Sequence, residues 1–333
     1  MKRNQHPRAF LFTVLWTLGL LYLGSVVHAT GSSLACPDWP TCFGTMVPEM
    51  TGGIFWEHLH RLVAGGLILL FSAATYLAFR ETPRFPWVTG LALLGIGLLL
   101  VQAVLGGITV LFRLPDAVST SHLGLAFLFL ALATVLSTVT ADSWASGIGP
   151  TPGAATALRR TALVAASLTF LQSLVGAAVR HTDAGMACPD VPLCLGEWIP
   201  PFQHGLVALH FGHRVLGILL LITVLLTGHL AFWKGGNRRL RRLGVVVSLV
   251  AGTQVLLGFL SVHYRLAVVP VSIHTLLAAS LLALLVALAG LTWAPGPTSD
   301  AGRDGSVSEV PGENGAAAGA TAAEAVHPFS APR

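Results

Sequence analysis

The chain has 333 residues, 54% of them hydrophobic and only 10% charged, with a mean hydropathy of +0.75. A soluble domain carries roughly 25% charged residues, so this composition excludes a water-soluble globular enzyme. The net charge of +5 and the pI near 9.4 therefore bear on membrane topology and not on nucleic acid.

A membrane-spanning helix needs about 20 mostly apolar residues. Eight such runs occur, at roughly 9–29, 54–79, 86–111, 117–141, 158–180, 205–232, 241–263 and 269–293. No run alternates as the strands of an outer-membrane barrel do, and a helix satisfies its own backbone in lipid. The expected fold is an all-α membrane protein with eight transmembrane helices. The basic stretch Met1–Arg8 ahead of run 1 also reads as a cleaved signal peptide. Against that, run 1 has a partner deep in the chain, described below.

Lys and Arg mark the cytoplasmic side. Lys2, Arg3 and Arg8, then Arg80 and Arg84, Arg159 and Arg160, and Lys234, Arg238, Arg239, Arg241 and Arg242 all fall on one side. The opposite loops hold chiefly Arg113, Arg180 and Arg265. Both termini are thus expected inside, in a multi-pass protein of the cell membrane. The division expected is 1–141 as an N-terminal half, 142–157 as a cytoplasmic linker and 158–293 as a C-terminal half. The tail 294–333, rich in Gly, Ala, Ser and Pro, cannot bury a core and is expected to be disordered.

The segment Ala35–Gly44 recurs as Ala187–Gly196, with seven of ten positions identical at an offset of 152. The same offset pairs Gln102 with Gln254, Gly106 with Gly258, Arg113 with Arg265 and His122 with His274. One inserted residue brings His60-Arg61 onto His213-Arg214. The chain reads as two fused copies of a four-helix unit. Four spans return the chain to its starting side, so the copies are expected to be parallel repeats about an axis along the membrane normal.

Cys36 and Cys42, and likewise Cys188 and Cys194, lie in outside loops, where disulfides form. A bond is expected within each pair. Each is either a loop staple or a labile, redox-active pair. The pairs alone lack the further soft ligands of a metal site.

Four histidines carry the functional argument. His60 and His122 sit a few residues into runs that start at the outer face. That puts them on the order of 8–9 Å below it, at 1.5 Å per residue. His213 and His274 repeat the arrangement. One intramembrane histidine can simply hydrogen-bond across helices. Two duplicated, depth-matched pairs suit axial ligation of haem iron. A copper or zinc site would need His58 or His210 as a further ligand. Arg61, Arg214, Arg113 and Arg265 could pair with haem propionates or snorkel to the interface. Gln102 and Gln254 read as interhelical hydrogen-bond donors.

The repeat breaks at one polar position: Glu57 in the first half aligns with His210 in the second. Glu57 is three residues from His60, on one helix face. It could orient a histidine. The divergence also suggests divided labour, with chemistry in the first half and a held cofactor in the second.

With Glu57-x-x-His60-Arg61, His122, His213-Arg214, His274 and both Cys-x5-Cys loops in place, the chain resembles the haem A synthases of the membrane-bound type also found in mitochondria. The resemblance covers about residues 1–293 and not the tail. It implies oxidation of the C8 methyl of haem O to a formyl group, through a hydroxymethyl intermediate, to supply cytochrome oxidase. It implies haem b on His213 and His274, substrate haem O between His60 and His122, and Glu57 as the catalytic carboxylate. It gives Cys36–Cys42 a part in turnover, as a redox or structural element, and it brings homo-oligomers. An electron acceptor must exist but is not legible, and substrate supply points to the haem O-forming farnesyltransferase as a partner. The competing readings are a di-haem b-type electron-transfer cytochrome, which leaves Glu57 unexplained, and a parallel-repeat transporter. The transporter would place polar breaks at the midplane, whereas the polar residues here crowd the outer face.

Overall fold

The computed structural model describes residues 4–81, 85–145, 149–150 and 152–295. Lys2, Arg3, Arg84 and the expected tail from residue 296 onward lie outside the described residues. The helices are α1 (His6–Ala29), α2 (Gly52–Glu81), α3 (Trp87–Leu111), α4 (Asp116–Thr140), α5 (Asp142–Ala145), α6 (Pro152–His181), α7 (Gly205–Lys234), α8 (Arg238–His263) and α9 (Val268–Leu291). All but the four-residue α5 are long and apolar enough to cross a membrane, eight in all among the described residues. The protein is an all-α membrane protein. Its spans match the expected runs except at α6, which starts six residues early, at Pro152. Proline suits a first helical turn because an N–H there would have no intrahelical partner in any case, and Ala154 and Ala155 follow after Gly153.

Helix ends are secured locally. Asn237 caps α8 by accepting from the Leu240 amide at 2.9 Å. Glu81, at the end of α2, accepts from the backbone amides of Gln5 and His6 at 2.8 and 2.9 Å, so one helix caps the N-terminus of another. At the other ends of α3 and α8 the chain turns through two successive left-handed residues, Arg113-Leu114 and Arg265-Leu266. Such φ values cost on the order of 1–3 kcal/mol per non-glycine residue. The Leu114 amide reaches the Thr109 carbonyl, and the Leu266 amide the Ser261 carbonyl, each at 2.7 Å, which offsets part of that cost.

Helices α1, α4, α6 and α9 form the centre. Around it α1 packs on α4 and α9, α6 packs on the same two, and α4 meets α9 across one diagonal, leaving α1 and α6 on the other. Helices α2 and α3 flank one side, α7 and α8 the opposite one. Phe71 of α2 is fully buried between Phe10 of α1 and Phe129 of α4, with ring centroids 6.0 and 5.0 Å away. Its ring fills the space above Gly95 of α3, where a Cβ would stand 2.5 Å from it. Lipid is as apolar as these side chains, so the contact stabilises through packing density and not through escape from water.

Gly95→Leu should therefore lower the thermal midpoint of the detergent-solubilised protein by the equivalent of roughly 1–3 kcal/mol of overpacking. Gly97→Leu, two residues along the same helix with open space around it, should leave the midpoint in place. Equal midpoints for both variants would mean that the Phe71 contact does not constrain this crossing.

Candidate functional site

The two cysteine loops sit at the same end of the bundle, between α1 and α2 and between α6 and α7. Both carry the expected disulfide, Cys36–Cys42 and Cys188–Cys194, and all four cysteines are buried. In the first loop the Asp38 carboxylate accepts from the Thr41 hydroxyl and from the Phe43 and Gly44 amides, the last two at 2.6 and 2.9 Å. These donors, Thr41 chief among them, hold the Asp38 carboxyl below its ordinary value of 3.8. In the second loop Asp190 accepts from the Gly196 amide at 2.8 Å.

An arginine from the next helix grips each loop. Arg61 Nη1 donates to the carbonyls of Asp38 and Thr41 at 2.7 and 2.5 Å, and Nη2 to that of Cys36 at 3.2 Å. Arg214 does the same to Asp190, Leu193 and Cys188, at 2.9, 2.8 and 2.6 Å. A rigid guanidinium fork can meet several carbonyls at once, which a lysine ammonium cannot.

The position where the repeat breaks lies beside these clamps. Glu57 is buried at 4% exposure. Its Oε1 accepts from Arg61 Nη2 at 2.6 Å and its Oε2 from the Cys36 amide at 2.7 Å. In the other half His210 Nδ1 lies 3.3 Å from the Cys188 amide and 2.9 Å from the Ala184 carbonyl. His58 is buried with Nδ1 unpaired, and one of its ring nitrogens and both sulfurs of Cys36–Cys42 lie within 4.8 Å of one another. Those sulfurs are joined to each other, so they are not thiolate ligands.

The structure brings the four predicted histidines together in pairs. His60 of α2 and His122 of α4 are electrostatic neighbours, as are His213 of α7 and His274 of α9. Each ring rests on a glycine of an adjoining helix: His60 on Gly24, His122 on Gly106, His213 on Gly176 and His274 on Gly258. A Cβ at those glycines would stand 3.1, 3.2, 2.9 and 3.2 Å from the imidazoles. A glutamine attends three of the four. Gln102, Gln172 and Gln254 place Nε2 at 3.4, 3.4 and 3.3 Å from Nε2 of His122, His213 and His274. Gln102 and Gln172 also donate to the histidine backbone carbonyls at 2.9 Å. Nδ1 of His122 and of His213 is buried with no partner.

Comparison with known proteins bears directly on this arrangement. The cytochrome oxidase assembly protein family (COX15-CtaA) matches residues 49–286. The chain is 30% identical to the haem A synthase of Halalkalibacterium halodurans over 224 residues, covering 65% of this chain and 74% of that one. It is 33% identical to the haem A synthase of Symbiobacterium thermophilum, covering 65% and 69%. A third, from Lysinibacillus sphaericus, is 28% identical and covers 84% and 94%.

The chain belongs to the haem A synthase family.

Family membership focuses the remaining residues. Arg61 and Arg214 have most of their donors committed to loop carbonyls, while Arg113 and Arg265 are exposed at the turns after α3 and α8. The Glu57 carboxylate reaches the loop and Arg61, not a histidine. Gly24, Gly176 and Gln172 were not singled out from sequence. Gly24 and Gly176 stand at the repeat offset, which was the available signal. Gln172 has Leu20 at that offset, so its role is legible only in three dimensions.

Two outcomes follow. Arg61→Lys and Arg61→Gln should both loosen the first loop, at about 1.5–3 kcal/mol per charged hydrogen bond lost, read as faster proteolysis within residues 36–45. Unchanged cleavage would remove the clamp from the account. The depressed carboxyl of Asp38 adds stability above its unfolded value of 3.8, and that stability is lost as pH falls through the lower folded value. Trp39 fluorescence should therefore show a transition only below pH 3.8, absent in Asp38→Asn; a transition at higher pH would contradict it.

Proposed function

We propose that this chain is a haem A synthase, an oxidoreductase that converts the C8 methyl of haem O to a formyl group through a hydroxymethyl intermediate. The observation that carries the reading is the asymmetry of two otherwise matched histidine sites. One half places a buried carboxylate, Glu57, one turn from His60, and the other places His210 at the aligned position.

The donor set suits haem. Each half brings together two imidazoles from different helices, buried Nδ1 atoms of His122 and His213 lack partners, and a glycine leaves room beside every ring. His60 and His122 would hold haem O, and His213 and His274 haem b. When bound, haem b would supply reversible one-electron chemistry and pass electrons to an acceptor. The glutamines set the histidine rings, and Gln172 serves only the second half. Glu57 is held still by Arg61 and the Cys36 amide. A fixed carboxylate can stabilise positive charge developing at the oxidised carbon, and can take the proton from attacking water. Arg61 binds both Glu57 and the disulfide loop, so loop order and carboxylate position are coupled. We read the halves as parallel copies of one unit, with both termini cytoplasmic and the cysteine loops outside, on the distribution of Lys and Arg. Haem O reaches the protein from the enzyme that farnesylates haem.

Expression in cells that make haem O, followed by mass-resolved chromatography of the extracted haems, tests the reading. Wild type should yield haem b together with haem O, its hydroxylated form or haem A. Glu57→Gln should keep haem b and haem O but form oxidised product about a hundredfold more slowly or worse, the scale for losing a preorganised electrostatic group. Haem b alone in wild type, near two per chain, would instead indicate an electron-transfer cytochrome.

A further inference from the structure

Helices α1 and α6 stand on the open diagonal of the central bundle, and a polar cluster joins them near the end that bears the cysteine loops. Arg180, one residue before the end of α6, reaches across to α1. Its Nη1 donates to Ser25 Oγ at 3.0 Å and its Nη2 to the Ser25 carbonyl at 2.8 Å. The Ser25 hydroxyl donates in turn to Thr275 of α9 at 3.2 Å. His28, one turn beyond Ser25, meets His181 edge to face, with ring centroids 5.4 Å apart. Thr120 of α4 lies 3.1 Å from His181 Nδ1. Each central helix thus contributes a polar group to one place.

The charge balance of this place is uneven. A guanidinium has five N–H donors and a full positive charge. Among the described residues, no carboxylate lies within ion-pair distance of Arg180, whose partners are one hydroxyl and one carbonyl, both of Ser25. A charge at membrane depth is costly and usually pairs. Asp116, at the start of α4, forms no ion pair with Arg180. The cluster also adjoins the first histidine pair, since Thr120, which meets His181, stands two residues before His122 on α4. At the repeat offset, the residue of α1 that matches Arg180 is His28, so of these two matched positions only the one on α6 carries a permanent charge. Arg61 and Arg214, the other arginines near the histidines, have most of their donors committed to loop carbonyls.

We propose that Arg180, flanked by His28 and His181 on the α1–α6 diagonal, is a carboxylate-binding site that takes a propionate of the haem held by His60 and His122. The second half thereby supplies the anion anchor of the first half's substrate. This rests on the haem-binding reading above. Haem carboxylates have two sources here, the first-half and the second-half porphyrin. The contacts to Ser25 and Thr120 and the neighbourhood of His122 favour the first; Thr275, next to His274, meets the cluster only through Ser25 and not through Arg180.

The test titrates full-length protein with ferric haem b and with its propionate dimethyl ester, followed by the Soret band. Each site is isolated in turn, the first in a His274→Ala background and the second in a His122→Ala background. At the first site, Arg180→Gln should weaken haem binding roughly ten- to a hundredfold, the scale of one charge-assisted hydrogen bond to a buried carboxylate. Arg180→Lys should recover part of the loss. The dimethyl ester, which has no carboxylate, should bind Arg180→Gln and the parent equally well. Second-site affinity should not change, and it reports that the variant is folded. Equal haem affinity with and without Arg180 would overturn the proposal, as would equal losses for haem and ester. A loss confined to the second site would overturn the assignment to the first-half haem. Parent protein that takes up no haem at either site would instead remove the functional reading and not this inference alone.

Discussion

A polar group inside a bilayer has no water to turn to, so each one here must find its partner on a neighbouring helix. That constraint organises the upper end of this protein. The imidazoles of His122, His213 and His274 lie against glutamines of adjoining helices, and all four rings lie over glycines. Arginines turn inward to loop carbonyls, and the loops fold back as lids held by those same arginines. The places where the constraint is not met are as informative. Buried Nδ1 atoms at His122 and His213 lack partners, and Arg180 lacks a counter-ion among the described residues. An apolar bundle keeps such groups only at a cost, which binding a metalloporphyrin with its carboxylates would offset.

The two halves share these devices and differ in a few side chains. Glu57 stands where the other half has His210, His28 where it has Arg180, and Leu20 where it has Gln172. Phe211, packed against the second disulfide, replaces His58 beside the first. The first half is thereby more polar around its disulfide, while the second has the extra glutamine on its histidine. Under the function proposed above, a substrate that must enter, react and leave suits the former, and a resident cofactor the latter. The arrangement of α1, α4, α6 and α9 puts the two sites in one shared core, so residues of one half lie within reach of the other.

Much of this was legible in the linear chain. Apolar runs of about 20 residues leave little choice but helices in lipid, so the eight spans could be counted directly. The duplicated cysteine motif and the matched histidines showed which residues occupy equivalent positions in the two halves. The disulfides followed from spacing and compartment. Other features were hidden. Arg61 and Arg214 read equally well as propionate partners, and only the folded loops show their donors bound to carbonyls 20 to 26 residues distant in sequence. Glu57 is a turn from His60 along its helix, yet its hydrogen bonds go to Arg61 and to the loop above.

By itself, then, the amino-acid sequence determined that the chain has eight membrane-spanning helices, that four histidines recur at matched positions of a repeat, and that one carboxylate breaks that repeat. These depend on local composition and helical rise, which need no knowledge of neighbours. The tertiary structure alone decided which helix faces which. It set the glycines under the imidazoles, gave Gln172 to His213, and carried Arg180 across the diagonal to Ser25. Hydropathy cannot supply that information, because every helix face is apolar enough for lipid. Close packing and the pairing of rare polar groups choose among faces that composition leaves equivalent.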